Sequence, residues 1–384
     1  MRILIAPDSF KGSVPATRAA DAMAAGCREV FPDAETELFP MADGGEGTVD
    51  AVLRWPGSVR ITVWTEDPLG RPIQAAYAWF PDRKTAVIET AAASGLPLLK
   101  GEALNPGLAS TRGTGLLIRD ALDRGAGKLV LGLGGSATVD AGTGLLEALG
   151  IRFRDEEGRI VSGRGENLGR IRRIERDSMD PRLRKTDMLL ACDVINPLTG
   201  PEGAVRVYGP QKGVTPENMN RFEEGMIRWA DLLSEMTGKD LRNEPGSGAA
   251  GGIAFSLRTL FDADMESGCT WLAREGRLEE KIARADLVLT GEGSFDAQSR
   301  YGKVPVSIGR MAKKHGTPVV VITGQSECFA LPGEGIDMIM PITDRPMCLE
   351  EAMKQGETLI RRAAARIGAA LKIGGSVALR KKRG

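Results

Sequence analysis

Leu287-Val288-Leu289-Thr290-Gly291-Glu292-Gly293-Ser294-Phe295-Asp296, continuing to Gln298-Ser299-Arg300-Tyr301-Gly302-Lys303-Val304-Pro305, sets the class of the whole chain. It opens as a short apolar strand and passes through glycines and acids to a helix predicted from near Val304. In a parallel α/β sheet the C-terminal ends of strands collect functional loops, because the helices that follow present backbone N–H groups there. Asp296 is therefore a candidate for chemistry. Its alternative is an Asx-turn or a helix cap, which short acids adopt readily. The choice turns on whether other strand ends carry similar groups.

Residues 3–6 read as a buried strand leading into Asp8-Ser9-Phe10-Lys11-Gly12-Ser13, with a helix through Ala16, Ala20, Met23 and Cys27. Lys11 can clamp an anionic oxygen, and Ser9 and Ser13 can donate to phosphate or carboxylate; Ser13 can equally cap the helix. Residues 35–39 give a strand before Met41-Ala42-Asp43-Gly44-Gly45-Glu46-Gly47-Thr48. Its glycines allow close backbone approach, while Asp43 and Glu46 suit substrate hydroxyls, a hard cation or a tight turn.

Residues 128–131 run as a strand into Gly132-Leu133-Gly134-Gly135-Ser136-Ala137-Thr138. Glycines, two hydroxyls and a following helix can form an anion-binding nest. This loop itself reads as neither GxxxxGK[ST] nor GxGxxG, so nucleotide phosphate, a substrate anion and a plain turn all stay open. The buried strand at 188–192 ends at Asp193, which can orient a hydroxyl, hold magnesium through water or accept a proton. Lys212 is a candidate phosphate or carboxylate contact, and Ser247 either touches phosphate or only packs.

The 384 residues suffice for two domains. Lys plus Arg and Asp plus Glu are both 51, which argues against a general nucleic-acid surface but not against a local anion site. Five unpaired-looking cysteines point to reduced thiols and a cytoplasmic location. The single histidine, His315, lies at a predicted helix C-terminus, where a helix-end charge interaction explains it better than a triad or zinc site. No apolar run reaches membrane-spanning length, and the N-terminus reads as a strand, not a secretory signal. A homodimer is compatible with the chain, though no segment marks its surface. The first and last quarters are expected to form one discontinuous α/β domain, residues 1–70 with 286–384, around an inserted α/β domain at 71–285, with the active site in the cleft between them.

The three loop blocks above, with Asp193-Val194-Ile195-Asn196-Pro197-Leu198, Tyr208-Gly209-Pro210-Gln211-Lys212-Gly213, Gly246-Ser247-Gly248-Ala249-Ala250-Gly251-Gly252 and Gly291-Glu292-Gly293-Ser294-Phe295-Asp296, resemble the bacterial glycerate kinase family over nearly the whole chain. The resemblance implies a Rossmann-like or flavodoxin-like domain interrupted by a second α/β domain, and phosphoryl transfer from ATP to D-glycerate, giving 2-phosphoglycerate. Asp193, Asp296 and Lys11 are then the expected catalytic groups, with Asp193 and Asp296 sharing Mg2+. Asp8, Ser9, Asp43 and Lys212 are expected to bind substrate, and Gly134, Gly135, Ser136, Thr138, Ser247 and Glu292 the nucleotide. The pattern departs at Val139 and Ser294, where the family more often has Asn and Arg. Kinases for other small hydroxy acids and noncatalytic organic-acid binders share parts of this chemistry.

Overall fold

The computed structural model describes residues 1–295, 304–326 and 330–381. Asp296, and with it the quoted stretch as far as Lys303, lies outside the described residues. In chain order the strands are β1 (Arg2–Ile5), β2 (Glu35–Leu38), β3 (Val59–Glu66), β4 (Pro72–Phe80), β5 (Thr85–Glu89), β6 (Lys128–Gly132), β7 (Arg152–Arg154), β8 (Ile160–Val161), β9 (Arg173–Glu175), β10 (Asp187–Ala191), β11 (Asp264–Glu266), β12 (Leu287–Phe295), β13 (Val319–Ser326) and β14 (Met338–Pro341). They fall into two compact units, Met1–Ala42 with Cys269–Gly384, and Asp43–Gly268.

The first unit is a parallel sheet in the order β14-β13-β12-β1-β2. Counting only its own strands, this is 2-1-3-4-5, the flavodoxin-like order and not the Rossmann one. Ile3, Ile5, Leu287, Leu289, Val320 and Ile322 share a buried cluster with Met23 and Cys27 of the helix Ala16–Val30 and with Leu359, Ile360 and Ala363 of the helix Gly356–Lys381. The two helices approach closely at Gly26, where an added Cβ would collide with the Arg361 carbonyl oxygen.

Two elements here differ from expectation. The strand expected to end near Thr290 continues to Phe295, because β13 keeps pairing with it as far as Phe295↔Ser326 after its pairing with β1 has stopped at Leu289↔Ile5. Backbone pairing thus overrides a run of small and polar side chains. The apolar periodicity over 350–371 predicts a single closing helix, and the structure has two, Leu349–Lys354 and Gly356–Lys381. At the break, the Ser13 hydroxyl donates to the Met353 carbonyl at 2.7 Å, and a Cβ on Gly356 would meet Val14 Cγ2 at 2.6 Å. Ser13 therefore caps no part of the helix that follows it, whose N-cap is Pro15.

The second unit holds a six-stranded sheet, β11-β10-β6-β5-β4-β3, parallel from β11 to β5 and antiparallel at β4 and β3, plus a small antiparallel sheet, β8-β7-β9. Its core runs from Tyr77 and Ile88 through Leu131 and Leu190 to Trp229 and Phe255. The unit boundaries fall at 42/43 and 268/269, where 70/71, at the turn-rich Asp67–Pro72, and 285/286, just before the Leu287 strand, were expected. The reason is register: β3 pairs with β4 along its whole length, from Val59↔Trp79 to Glu66↔Pro72, so the Asp67–Pro72 turn is a hairpin within the second sheet.

Candidate active site

In the second unit the C-terminal ends of the parallel strands converge on one set of loops. Gly132 ends β6 and Ala191 ends β10, and the Asp43–Gly47 turn packs on both. Gly134 N donates to Gly44 O at 3.2 Å, and a Cβ on Gly134 would stand 2.5 Å from Gly45 Cα, so this contact requires glycine. Gly44 has φ +87, and a side chain there would strike the Ala191 carbonyl. These glycines therefore serve close packing of one loop on another, which brings Asp43 beside Asp193.

Partial desolvation raises the Asp193 carboxyl from its ordinary value, opposed by a hydrogen bond from Ser267, while the Asp43 charge pushes it further up. Asp193 nevertheless reaches solvent, whereas Asp43 is half-buried and accepts from Gly45 N at 3.0 Å. Two mutually repelling carboxylates, one in the Asp43–Gly47 turn and one just after β10, form a donor set of hard oxygens, the kind that suits magnesium completed by phosphate oxygens. Among the described residues there is no group of three or more acids, histidines or cysteines that could hold a metal by itself. Cys192, next to Asp193, has its thiol pushed up to about 11 by burial, which removes it as a nucleophile at neutral pH.

The turn after β6 is held from beneath. Lys212 is 4% exposed, and its ammonium donates to Ser136 Oγ at 2.8 Å and to the Thr138 carbonyl at 2.9 Å. Burial pulls it down to about 8, with the Asp140 charge opposing. Lys212 thus grips the turn, while Gly134 and Gly135 are the parts of it that solvent reaches. The Thr138 hydroxyl is buried with no hydrogen-bond partner. Val139 is 1% exposed within the core, so an apolar side chain fills the position where the family more often has Asn. Ser247 is also fully buried; its hydroxyl donates to the Leu241 carbonyl at 2.5 Å. The adjoining Ala250, Gly251 and Gly252 all have positive φ, and Gly251 packs on the Thr138 carbonyl.

Two residues here escaped sequence reasoning. Asp140 is fully buried and accepts from Thr111 N and Oγ1, both at 2.8 Å, from Gly142 N at 3.1 Å and from Gly144 N at 3.3 Å, tying together the starts of two helices. Glu89, at the end of β5, accepts from Val49 N at 2.6 Å at the start of the helix Thr48–Val52. Burial, with Asp50 and Glu46 nearby, raises it to about 7 against the pull of that hydrogen bond. An acid at the end of an apolar strand was a visible signal for Glu89; only burial distinguishes Asp140.

The first unit has its own cluster at the switch point of its sheet, between β1 and β12, where open α/β sheets place ligands. Ala6 N donates to Leu289 O and Asp8 N to Gly291 O, each at 2.8 Å, carrying the β1 loop along β12. A Cβ on Gly293 would lie 3.4 Å from Lys11 N and from Phe10 Cα. Asp8 Oδ1 accepts from Ser9 N at 2.6 Å, Lys11 is exposed, and Glu292 is buried. Ser294, at the second departure from the family pattern, accepts from Gln325 Nε2 at 3.0 Å.

A flavodoxin-like unit, with a second unit whose strand ends gather a glycine turn and paired carboxylates, is built as a small-molecule phosphotransferase. The profile of the glycerate kinase family matches residues 3–372, and the chain belongs to that family. It is 43% identical over 367 residues to a glycerate kinase of Halalkalibacterium halodurans, covering 95% of this chain and 97% of that one. It is 39% identical over 376 residues to the glycerate 2-kinase of Escherichia coli K12, covering 97% and 99%. A crystal structure from Salmonella typhimurium LT2 assigned as glycerate kinase 2 superposes with a TM-score of 0.86 at 39% identity, over 98% of this chain and 99% of that one.

Proposed function

We propose that this protein transfers the terminal phosphoryl group of ATP to the C2 hydroxyl of D-glycerate, releasing 2-phosphoglycerate and ADP. The observation that carries the reading is the meeting of Asp43 and Asp193 beside the Lys212-held glycine turn, in a chain of the glycerate kinase family. Gly134 and Gly135 form the phosphate-facing part of the turn, Ser136 and Thr138 lie buried beneath it, and Lys212 sets its shape from below.

Asp193 orients the acceptor hydroxyl and takes its proton. Its raised pKa suits that task, since a base works best when its pKa lies nearer the working pH. Phosphoryl transfer passes through a loose transition state, so positioning and charge stabilisation contribute more than prior formation of an alkoxide. Lys11, Asp8 and Ser9 contribute groups for the glycerate carboxylate and hydroxyls. Magnesium, when bound, would neutralise phosphate oxygens; Asp43 and Asp296 are the carboxylates that would hold it, which leaves Asp193 to act as the base. Ser247, fully buried, supports the nucleotide turn through packing within the second unit, and Glu292 is the nucleotide-binding candidate of the first unit. Described cysteines Cys27, Cys192, Cys269 and Cys348 are thiols, and no described helix is long and apolar enough to cross a membrane, which accords with a cytoplasmic enzyme.

Incubation with ATP, magnesium and D-glycerate, followed by product analysis, tests the reading. Formation of 2-phosphoglycerate is expected. Production of 3-phosphoglycerate alone would retain the kinase and reject the C2 assignment, and absence of any phosphorylated product from folded protein would reject both.

A further inference from the structure

The second unit carries a further cleft of about 350 Å³, lined by Arg112, Arg119 and Arg152 with Glu147, Ile151 and Ile160. Its size suits a small ligand. Arg112 and Arg119 lie seven residues apart on the helix Arg112–Asp123, two turns along one face. Arg112 is held by Glu66. Arg119 makes no hydrogen bond or ion pair among the described residues, and Arg152 acts on Glu175 only at a distance, that acid being paired with Arg154 at 2.6 Å. Glu147, the one acid in the lining, already accepts from Gly163 N at 2.7 Å. Three guanidiniums thus face one committed carboxylate, with Ile160, 65% exposed, supplying apolar surface at the edge.

We propose that this cleft binds a small organic phosphate, its phosphate taken by Arg119 and Arg152 and its carbon skeleton lying against Ile160. Guanidinium forks match phosphate oxygens in geometry and charge, and two unengaged forks have that capacity to spare. The walls are preorganised, because Asp140 ties Thr111, which precedes the helix bearing Arg112 and Arg119, to Gly142 and Gly144 at the start of the helix bearing Glu147. The site is independent of the kinase reading.

Calorimetric titration of glycerol phosphate into the intact protein at near-physiological salt, where diffuse attraction is screened, tests it. Saturable binding is expected, weakened about tenfold or more in R119Q/R152Q, as loss of charged hydrogen bonds implies. R184Q/K185Q, which removes two exposed charges outside the cleft, should bind as the parent does, and all three proteins should melt alike. Absence of saturable binding at millimolar glycerol phosphate, or equal binding by the two double variants, would overturn the proposal. Amide exchange supplies the location: protection should fall on residues 112–123 and 150–152, and protection confined to other segments would also overturn it.

Discussion

Lys212 and Glu89 sit where solvent is scarce, and each is held away from the charge it would carry in water. For Glu89, raised from 4.5 to about 7, the folded chain holds a proton that the unfolded chain has lost across that window. Stability therefore falls as pH rises through it, by on the order of 3 kcal/mol in total. Glu89→Gln keeps an acceptor for Val49 N and should flatten this part of a denaturation-against-pH curve. Lys212 gives the opposite slope. Between about 8 and 10.5 the unfolded chain binds the extra proton, so stability rises with pH, and Lys212→Met should abolish that rise. At Asp193, replacement by Asn should lower turnover by roughly 10²–10⁴-fold, the range for a lost general base, with the melting temperature little changed. An undiminished rate in folded D193N would remove Asp193 from the mechanism. Ser136 and Asp193 could be picked out as candidates because their chemistry and their place after apolar strands can be read together, and Asp43 because it opens a glycine-rich turn after a strand. Glu89 carried the same strand-end signal, but its weight, like that of Asp140, comes from desolvation and from donors brought by other segments, which the sequence does not display.

At the scale of elements, the apolar runs of β1, β6, β10 and β13 announce themselves, since strands covered on both faces need no polar alternation. The second half of β12 does not, because Gly291, Glu292, Gly293 and Ser294 have loop composition and become strand only through β13. The interlocked turns permit a direct comparison of glycines. Gly134→Ala would press a methyl group into Gly45 and should cost about 1–3 kcal/mol, as overpacking does, and weaken nucleotide binding. Gly127→Ala meets no atom within 4 Å and should change stability by less than about 1 kcal/mol. Urea denaturation of the two variants would separate a packing role for Gly134 from a general cost of replacing glycine; equal losses would refute it.

At the scale of the molecule, the second unit begins and ends at one place. A Cβ on Gly268 would collide with the backbone of Asp43, so the entry and exit of the inserted segment are adjacent. Each unit also has its own buried cluster. The segment Asp43–Gly268 expressed alone should therefore fold with a single cooperative transition, and the remaining chain, with Ala42 joined to Cys269 by a short linker, should do likewise. Neither fragment should phosphorylate glycerate. A segment that stays unfolded by circular dichroism would show that its core depends on the first unit. Sequence suggested an interrupted domain but misplaced the interruption, because the Pro and Gly around residue 70 mark a hairpin as readily as a linker.

The enclosed amine of Lys212 has a use at the bench. Burial pulls it down to about 8, so it loses its proton more readily than a surface lysine, and at 4% exposure it can be acylated only when the turn above it opens. Its rate of modification, followed by mass spectrometry, would time the breathing of that turn, and any ligand that rests on the turn should slow the clock.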